Sequence, residues 1–227
     1  MSSITVIGGT GYAGSHIAAE AQRRGHHVIV ASRSAHAPTE PVPDNVEYRA
    51  IDALDTAQLS VVIADSDVVV SALSPRAGLD GMIGDVNRKI ADLVAQQGTT
   101  LLVVGGFSSL RREHGGPRVI DEGFGDNSGV PDDHLAALIS EATQMNAILQ
   151  DLLAREDDLD WAFFSPGMEF GSHVPGEPTG TYRVGTDGLV LTDANGHTAI
   201  GGADFALAVL DQLDSPTPHR GHLAVAY

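Results

Sequence analysis

Hydrophobic and polar positions alternate along the first half of the chain in a strand–helix rhythm. Ile4-Thr5-Val6-Ile7 is a short β-branched run closed by Gly8-Gly9, the pattern of a buried strand. Residues 12–24 follow with helical spacing and stop at Gly25. Residues 27–31, 46–51, 67–71 and 99–104 are predicted as the next four strands. Helices are predicted over 56–64 and 83–97, the second from Ile83, Val86, Ile90, Leu93 and Val94 on one face. A Pro-rich loop spans 34–45. Strands alternating with helices imply βαβ units, hence an α/β, Rossmann-type, doubly wound parallel sheet.

The second half is less regular. Residues 105–131 read as a long glycine-rich loop, and loops of that length are usually functional. A helix is expected over 132–155, a sixth strand over 159–164 and a Gly/Pro-rich loop over 165–181. Short strand candidates follow at 182–184, 189–191 and 197–200, then a helix at 203–213 and a last strand at 223–227. No repeat or composition break marks a linker. The expectation is one domain over 1–227, with a small C-terminal substrate lobe formed by about 165–201.

Composition narrows the classes. At 227 residues, 42% apolar and 19% charged, the chain can bury a sizeable core. It has no cysteine, which removes disulfides, Cys-based zinc sites and thiol chemistry. Thirteen basic against thirty acidic residues give a net charge of −17, which repels nucleic acid and anionic membranes. No apolar run approaches the ~20 residues that span a bilayer. The N-terminus has no basic region ahead of an apolar stretch, so no signal peptide is read and a cytoplasmic location is expected.

The candidate chemistry begins where the first strand meets the first helix. Gly8, Gly11 and Gly14 give G-x-x-G-x-x-G within Gly8-Gly9-Thr10-Gly11-Tyr12-Ala13-Gly14. The first glycine permits the sharp turn, the second lets backbone approach a pyrophosphate, and the third lets the helix pack close to the sheet. The helix N-terminus adds free N–H groups and a positive dipole end. A dinucleotide site is expected. At the tip of the second strand, NAD-preferring sites usually carry Asp or Glu to accept from the ribose 2′-hydroxyl. This chain has Ala31-Ser32-Arg33-Ser34. Arg33 can pair with a 2′-phosphate and Ser32 can donate to it, so NADP(H) is favoured, with NAD possible.

In this architecture ligands bind outside the carboxyl ends of the strands. Asp52 and Ala53, after the third strand, fall where the adenine edge would lie. Ala72-Leu73-Ser74-Pro75, after the fourth, are small enough to pass close to a cofactor. The expected cofactor set is Gly8, Thr10, Gly11, Tyr12, Ala13, Gly14, Ser32, Arg33, Asp52, Ala53, Ala72, Leu73, Ser74 and Gly105.

The glycine turn, Ala31-Ser32-Arg33, Val103-Val104-Gly105-Gly106-Phe107-Ser108-Ser109-Leu110 and Asp160-Trp161-Ala162-Phe163-Phe164-Ser165-Pro166 resemble the atypical short-chain dehydrogenase/reductase superfamily. They are most similar to its NAD(P)H-binding group, which includes NADH-flavin reductases, biliverdin-IXβ/flavin reductases and NmrA-like proteins. Gly180-Thr181-Tyr182-Arg183 and Gly201-Gly202-Ala203-Asp204-Phe205-Ala206 extend the resemblance over most of the chain. It implies an NAD(P)H-dependent oxidoreductase or, through the NmrA-like members, a non-catalytic dinucleotide sensor.

One departure shapes the chemistry. Active classical and extended members use a Tyr-x-x-x-Lys pair to protonate a carbonyl oxygen. The tyrosines here are Tyr12, Tyr48, Tyr182 and Tyr227, and Lys89 is the one lysine, so that pair is absent. Flavins, quinones and tetrapyrroles spread incoming charge over a conjugated system and can take a proton from water. The expected partner is such a small-molecule acceptor, bound by a monomer or homodimer without nucleic acid, membrane or metal. Candidates for the reacting site are Ser108 and Ser109 as hydrogen-bonding groups and Pro166 as a surface for the nicotinamide. Arg183 reads as an ion-pair residue or a contact to an acidic substrate. His26-His27 sits at the start of the second strand, far from the ligand edge, and His114, His134 and His173 read as surface histidines.

Overall fold

The structure, a computed structural model, describes residues 1–35, 42–125 and 132–227. Parts of the two expected loops, 36–41 and 126–131, lie outside the described residues. Elements follow in the order β1 (Ser3–Ile7), α1 (Tyr12–Arg23), β2 (His27–Ser32), β3 (Val46–Ala50), α2 (Thr56–Ala64), β4 (Val68–Ser71), α3 (Ile83–Gln97) and β5 (Thr100–Val104). Then come α4 (Asp132–Leu153), β6 (Asp160–Pro166), β7 (Arg183–Gly185), α5 (Gly202–Asp214) and β8 (Gly221–Ala226). One-turn helices at Pro75–Ala77, Phe107–Ser109 and Val119–Glu122 punctuate the connections.

The eight strands form one sheet in the order β3-β2-β1-β4-β5-β6-β8-β7. All pairs are parallel except β7 with β8, which is antiparallel. Chain order reverses between β1 and β4, and a crevice opens there at the carboxyl ends.

The period of two along each strand sends side chains to two cores. Ile7, Ile29, Val69, Leu101, Val103 and Phe163 pack with α2, α3 and α4. Ile4, Val6, Val28, Val30, Val70, Leu102 and Phe164 pack on the other side with α1 and α5. Continuous β-branched runs such as Val68-Val69-Val70 reflect strands covered on both faces.

Several boundaries differ from the sequence reading. β6 runs on through the fully buried Ser165 to Pro166, because register with β8 continues to the Pro166–Val225 pair. The 189–191 and 197–200 candidates are not strands. Each makes one isolated bridge, Leu189 to Arg111 and Ala199 to Glu169. Gly188 and Gly196, at φ +67° and +83°, turn the chain before either segment can form a ladder. The 182–184 candidate does form a strand, β7, at the sheet edge.

A cleft at the carboxyl edge of the sheet

The glycine turn sets the centre of the crevice. Gly8 has φ +84°, and a Cβ there would stand 2.6 Å from Ala72 O. A Cβ on Gly14 would meet Gly9 Cα at 2.9 Å and would also collide with Gly8 O. These two glycines are required by backbone packing. Gly11 differs: its φ is −77°, and a Cβ there would meet Gly8 O alone, at 3.2 Å. Gly11 is the N-cap of α1, without a side-chain cap and with no acidic residue in the first turn. The positive end of the helix is therefore left for an anion. A pyrophosphate fits this cradle on both counts: backbone can approach closely at Gly11, and among the described residues no side chain caps the helix terminus.

Two adjoining hollows meet at Gly11, Ala72, Leu73 and Ser74. The narrower one is lined by Gly8, Thr10, Ser32, Arg33, Asp52 and Ala53, with Ser34, Ile51 and Leu79, which sequence reasoning had not assigned. The Thr10 hydroxyl donates to Ser32 Oγ at 3.0 Å, joining the turn to the tip of β2. The Arg33 guanidinium lies against Gly78, where an added Cβ would stand 3.5 Å from Nη1. Asp52 Oδ1 accepts from Leu54 N at 3.0 Å, so this carboxylate shapes the turn after β3 as well as lining the hollow.

The wider hollow takes in Tyr12, Ala13, Gly105, Ser108 and Pro166. Its walls are Phe107, Phe124, Leu138, Met145, Met168 and Phe170. Gly105 is needed at the end of β5 because a Cβ there would enter the ring of Phe163, 2.5 Å from Cζ. The α4 residues Leu138, Ala142 and Met145 line this hollow. Their apolar spacing reads in sequence as core alone, and no signal in the pattern separates the two uses.

Ser109 departs from expectation. It is fully buried, does not line the cleft, and its hydroxyl has no hydrogen-bond partner among the described residues. The Phe107–Ser109 turn points successive side chains in different directions, so of the two serines only Ser108 lines the hollow. Gly14 likewise lines neither hollow, consistent with its packing role. Arg183 is spent on the carbonyl oxygens of Thr192, at 2.8 Å, and Tyr227, away from the cleft.

Tyr12 is the tyrosine that lines the wider hollow, and its hydroxyl is fully engaged. It donates to Pro175 O at 3.1 Å and accepts from Gly202 N at 2.9 Å. Its ring meets Phe170 edge-on at 5.3 Å. Lys89 is exposed on α3 and lines neither hollow.

Behind the 107–109 turn lies a partly buried polar chain that the sequence did not reveal. Arg118 is 6% exposed and donates to Ser109 O at 2.5 Å. It has no carboxylate in ion-pair contact among the described residues, and burial lowers its pKa. Its Nη1 lies 3.5 Å from His222 Nδ1, and His222 Nε2 lies 2.9 Å from Ser165 Oγ, which donates to Gly106 O at 2.9 Å. With the serine proton used on Gly106, His222 donates through Nε2 and is neutral. Burial first, then the Arg118 and Arg111 charges, pushes its pKa down to about 3.

Among the described residues no helix is long and apolar enough to cross a membrane, and no cluster of His, Asp and Glu is placed to hold a metal ion.

Comparison with known proteins agrees with this geometry. The uncharacterized protein YwnB of Bacillus subtilis is 32% identical over 219 residues, covering 94% of this chain and 92% of its own. A Burkholderia pseudomallei structure, provisionally described as an exported protein, superposes with a TM-score of 0.80 at 32% identity, covering 100% of both chains. A Streptococcus pneumoniae structure, provisionally called an NADH-flavin reductase, gives 0.81 at 24% identity, covering 100% of this chain and 99% of its own, a likeness of fold. A family model described as NAD(P)H-binding matches residues 8–216, from the glycine turn to just past α5, and the chain belongs to that family.

Proposed function

We propose that the protein is an NAD(P)H-dependent reductase, favouring NADP(H), whose acceptor is a flavin, quinone or similar conjugated molecule. One observation carries the reading. The wider hollow is walled by aromatic and apolar side chains, and its tyrosine hydroxyl is already engaged by Gly202 N and Pro175 O. Such a site holds a flat ring without offering a strong side-chain acid. That suits acceptors which delocalise charge and take their proton from water.

The chain's own groups have separable tasks. The α1 terminus and Gly11 receive the pyrophosphate. Ser32 and Arg33, in the narrower hollow, would hold the adenosine ribose, where a guanidinium favours a 2′-phosphate. Pro166, which lines the wider hollow, would give the nicotinamide a rigid apolar surface, and Ser108 would offer it or the acceptor a hydrogen bond. Phe107, Met168 and Phe170 exclude water around the acceptor. The nicotinamide cofactor supplies the hydride when bound; the protein supplies stacking and distance. The S. pneumoniae fold neighbour's name supports a flavin as first acceptor to try.

The test is turnover. Purified protein with NADPH and a panel of FMN, FAD and quinones should consume the nicotinamide absorbance. Tight NADP(H) binding without turnover on any acceptor would overturn the reductase reading and leave a dinucleotide sensor.

A further inference from the structure

Among the described residues that line the wider hollow, two carry charge, and they are paired with each other. Arg76 Nε donates to Glu141 Oε2 at 2.6 Å. Arg76 belongs to the one-turn helix just after Ser74, and Glu141 to α4. The pair is not the only tie between α4 and the segment that follows β4. Gln144 of α4 already donates to Asp80 Oδ1 at 2.6 Å and accepts from Gly81 N at 2.7 Å. The Arg76 side chain is 69% exposed and that of Glu141 24% exposed, a setting in which an ion pair adds little stability.

What the pair does place is a guanidinium in a site whose other described lining residues, Glu141 apart, carry no charge. Only Nε is used on Glu141; the Nη groups have no hydrogen-bond partner among the described residues. A planar fork with free donors matches phosphate or carboxylate oxygens. Elsewhere a chain of net charge −17 repels an anion.

We propose that Arg76 is a specificity-determining residue for the acceptor: it takes the anionic tail of a conjugated acceptor in exchange for Glu141. The inference rests on reading the wider hollow as the acceptor site. It predicts discrimination between two acceptors with the same ring, one carrying a phosphate and one not. Glu141 is the competitor that keeps Arg76 occupied and aimed until an anion arrives.

FMN and riboflavin make the comparison. Each is titrated into the full chain saturated with NADP+, by quenching of flavin fluorescence at fixed ionic strength. The expected result is FMN bound about 3- to 10-fold more tightly than riboflavin. Arg76→Gln should bring the ratio to about one, Arg76→Lys should restore part of it, and Glu141→Gln should raise it. Added salt should shrink the wild-type ratio.

Equal affinities in the wild type, or an unchanged ratio in a folded Arg76→Gln protein, would overturn the proposal. So would a lower ratio in Glu141→Gln. Weaker NADP+ binding in Arg76→Gln with no change in the flavin ratio would assign the guanidinium to the cofactor instead. If neither flavin binds the wild type, the acceptor reading fails together with this one. Loss of the preference alone leaves that reading standing.

Discussion

The Tyr12 hydroxyl accepts from the N–H of Gly202 at 2.9 Å and so joins the glycine turn at the start of α1 to the first turn of α5. The same oxygen donates to Pro175 O, which pins the loop after β6 beside the cleft. A tyrosine so engaged is a strut. It has no proton ready for a substrate oxygen. Tyr12→Phe should therefore preserve the shape of the pH–rate profile while lowering stability by about 1–2 kcal/mol, because Gly202 N and Pro175 O lose their partner. Denaturant unfolding and a pH series on one acceptor check both parts. A lost basic limb in the profile would show that Tyr12 does supply a proton.

The glycines of the turn should separate on mutation. At Gly11 the protein's own atoms come no closer to an added Cβ than Gly8 O at 3.2 Å. Gly11→Ala should fold with little loss of stability yet bind NADPH at least about tenfold more weakly, since the methyl occupies the approach of the pyrophosphate. At Gly8 the positive φ and Ala72 O at 2.6 Å oppose any side chain. Gly8→Ala should cost about 2–4 kcal/mol of stability whether or not cofactor is present. Calorimetric titration beside thermal unfolding reads the two effects. Unchanged NADPH affinity in Gly11→Ala would show that the cradle lies elsewhere.

The contrast between these glycines also marks what sequence can convey. The G-x-x-G-x-x-G spacing, the β-branched runs and the helix stops at Gly25 and Gly98 are local, and they were enough to imply a doubly wound parallel sheet and the edge that carries the cleft. Thr10, Ser32 and Ala72 come together because each ends or follows a strand of known direction. The wall of the wider hollow was not legible in the same way. Leu138, Ala142 and Met145 share the helical period of residues that face the core, and the period cannot say which ridge meets a void. Ser108 and Ser109 are adjacent and chemically alike, and only the one-turn helix separates the lining residue from the buried one. Arg118 and His222 are 104 positions apart, and no local pattern links them.

That pair, Arg118 buried and His222 half-buried, gives the protein an acid-sensitive element. His222 is neutral in the fold, with its pKa pushed down to about 3, against about 6.5 when exposed. Between those values the unfolded chain binds a proton that the folded chain does not. Its contribution to stability is thus present above about pH 6.5 and is lost as pH falls toward 3. From pH 7 to pH 5 this amounts to about 2 kcal/mol. His222→Gln can still donate to Ser165 and removes the titration. Guanidinium unfolding at the two pH values should show a smaller loss on acidification for the variant than for the wild type. Equal losses would mean that His222 accepts its proton without unfolding.

The choice between the two nicotinamide cofactors turns on Arg33. It stands just past β2, beside Ser32, in the hollow that adjoins the phosphate turn, and Asp52 across the hollow is bound into its own turn through Leu54 N. A guanidinium here can hold a 2′-phosphate with charge-assisted hydrogen bonds, and no carboxylate follows Ala31 to accept from a free 2′-hydroxyl. Arg33→Ala should weaken NADPH by about tenfold, the discount from a buried contact reflecting the exposure of this side chain. NADH should be nearly unaffected, because it presents no group for the guanidinium to lose. Arg33→Asp should go further: its carboxylate repels the phosphate and can accept from the 2′-hydroxyl, so the order of affinities should invert. The three proteins, titrated with each cofactor at one ionic strength, give six dissociation constants. Because the effect is electrostatic, the wild-type preference should also narrow as salt is raised. If Arg33→Ala weakens both cofactors equally, the side chain supports the turn and does not read the phosphate. The preference for NADP(H) would then lose its basis, while the pyrophosphate cradle at Gly11 would be untouched.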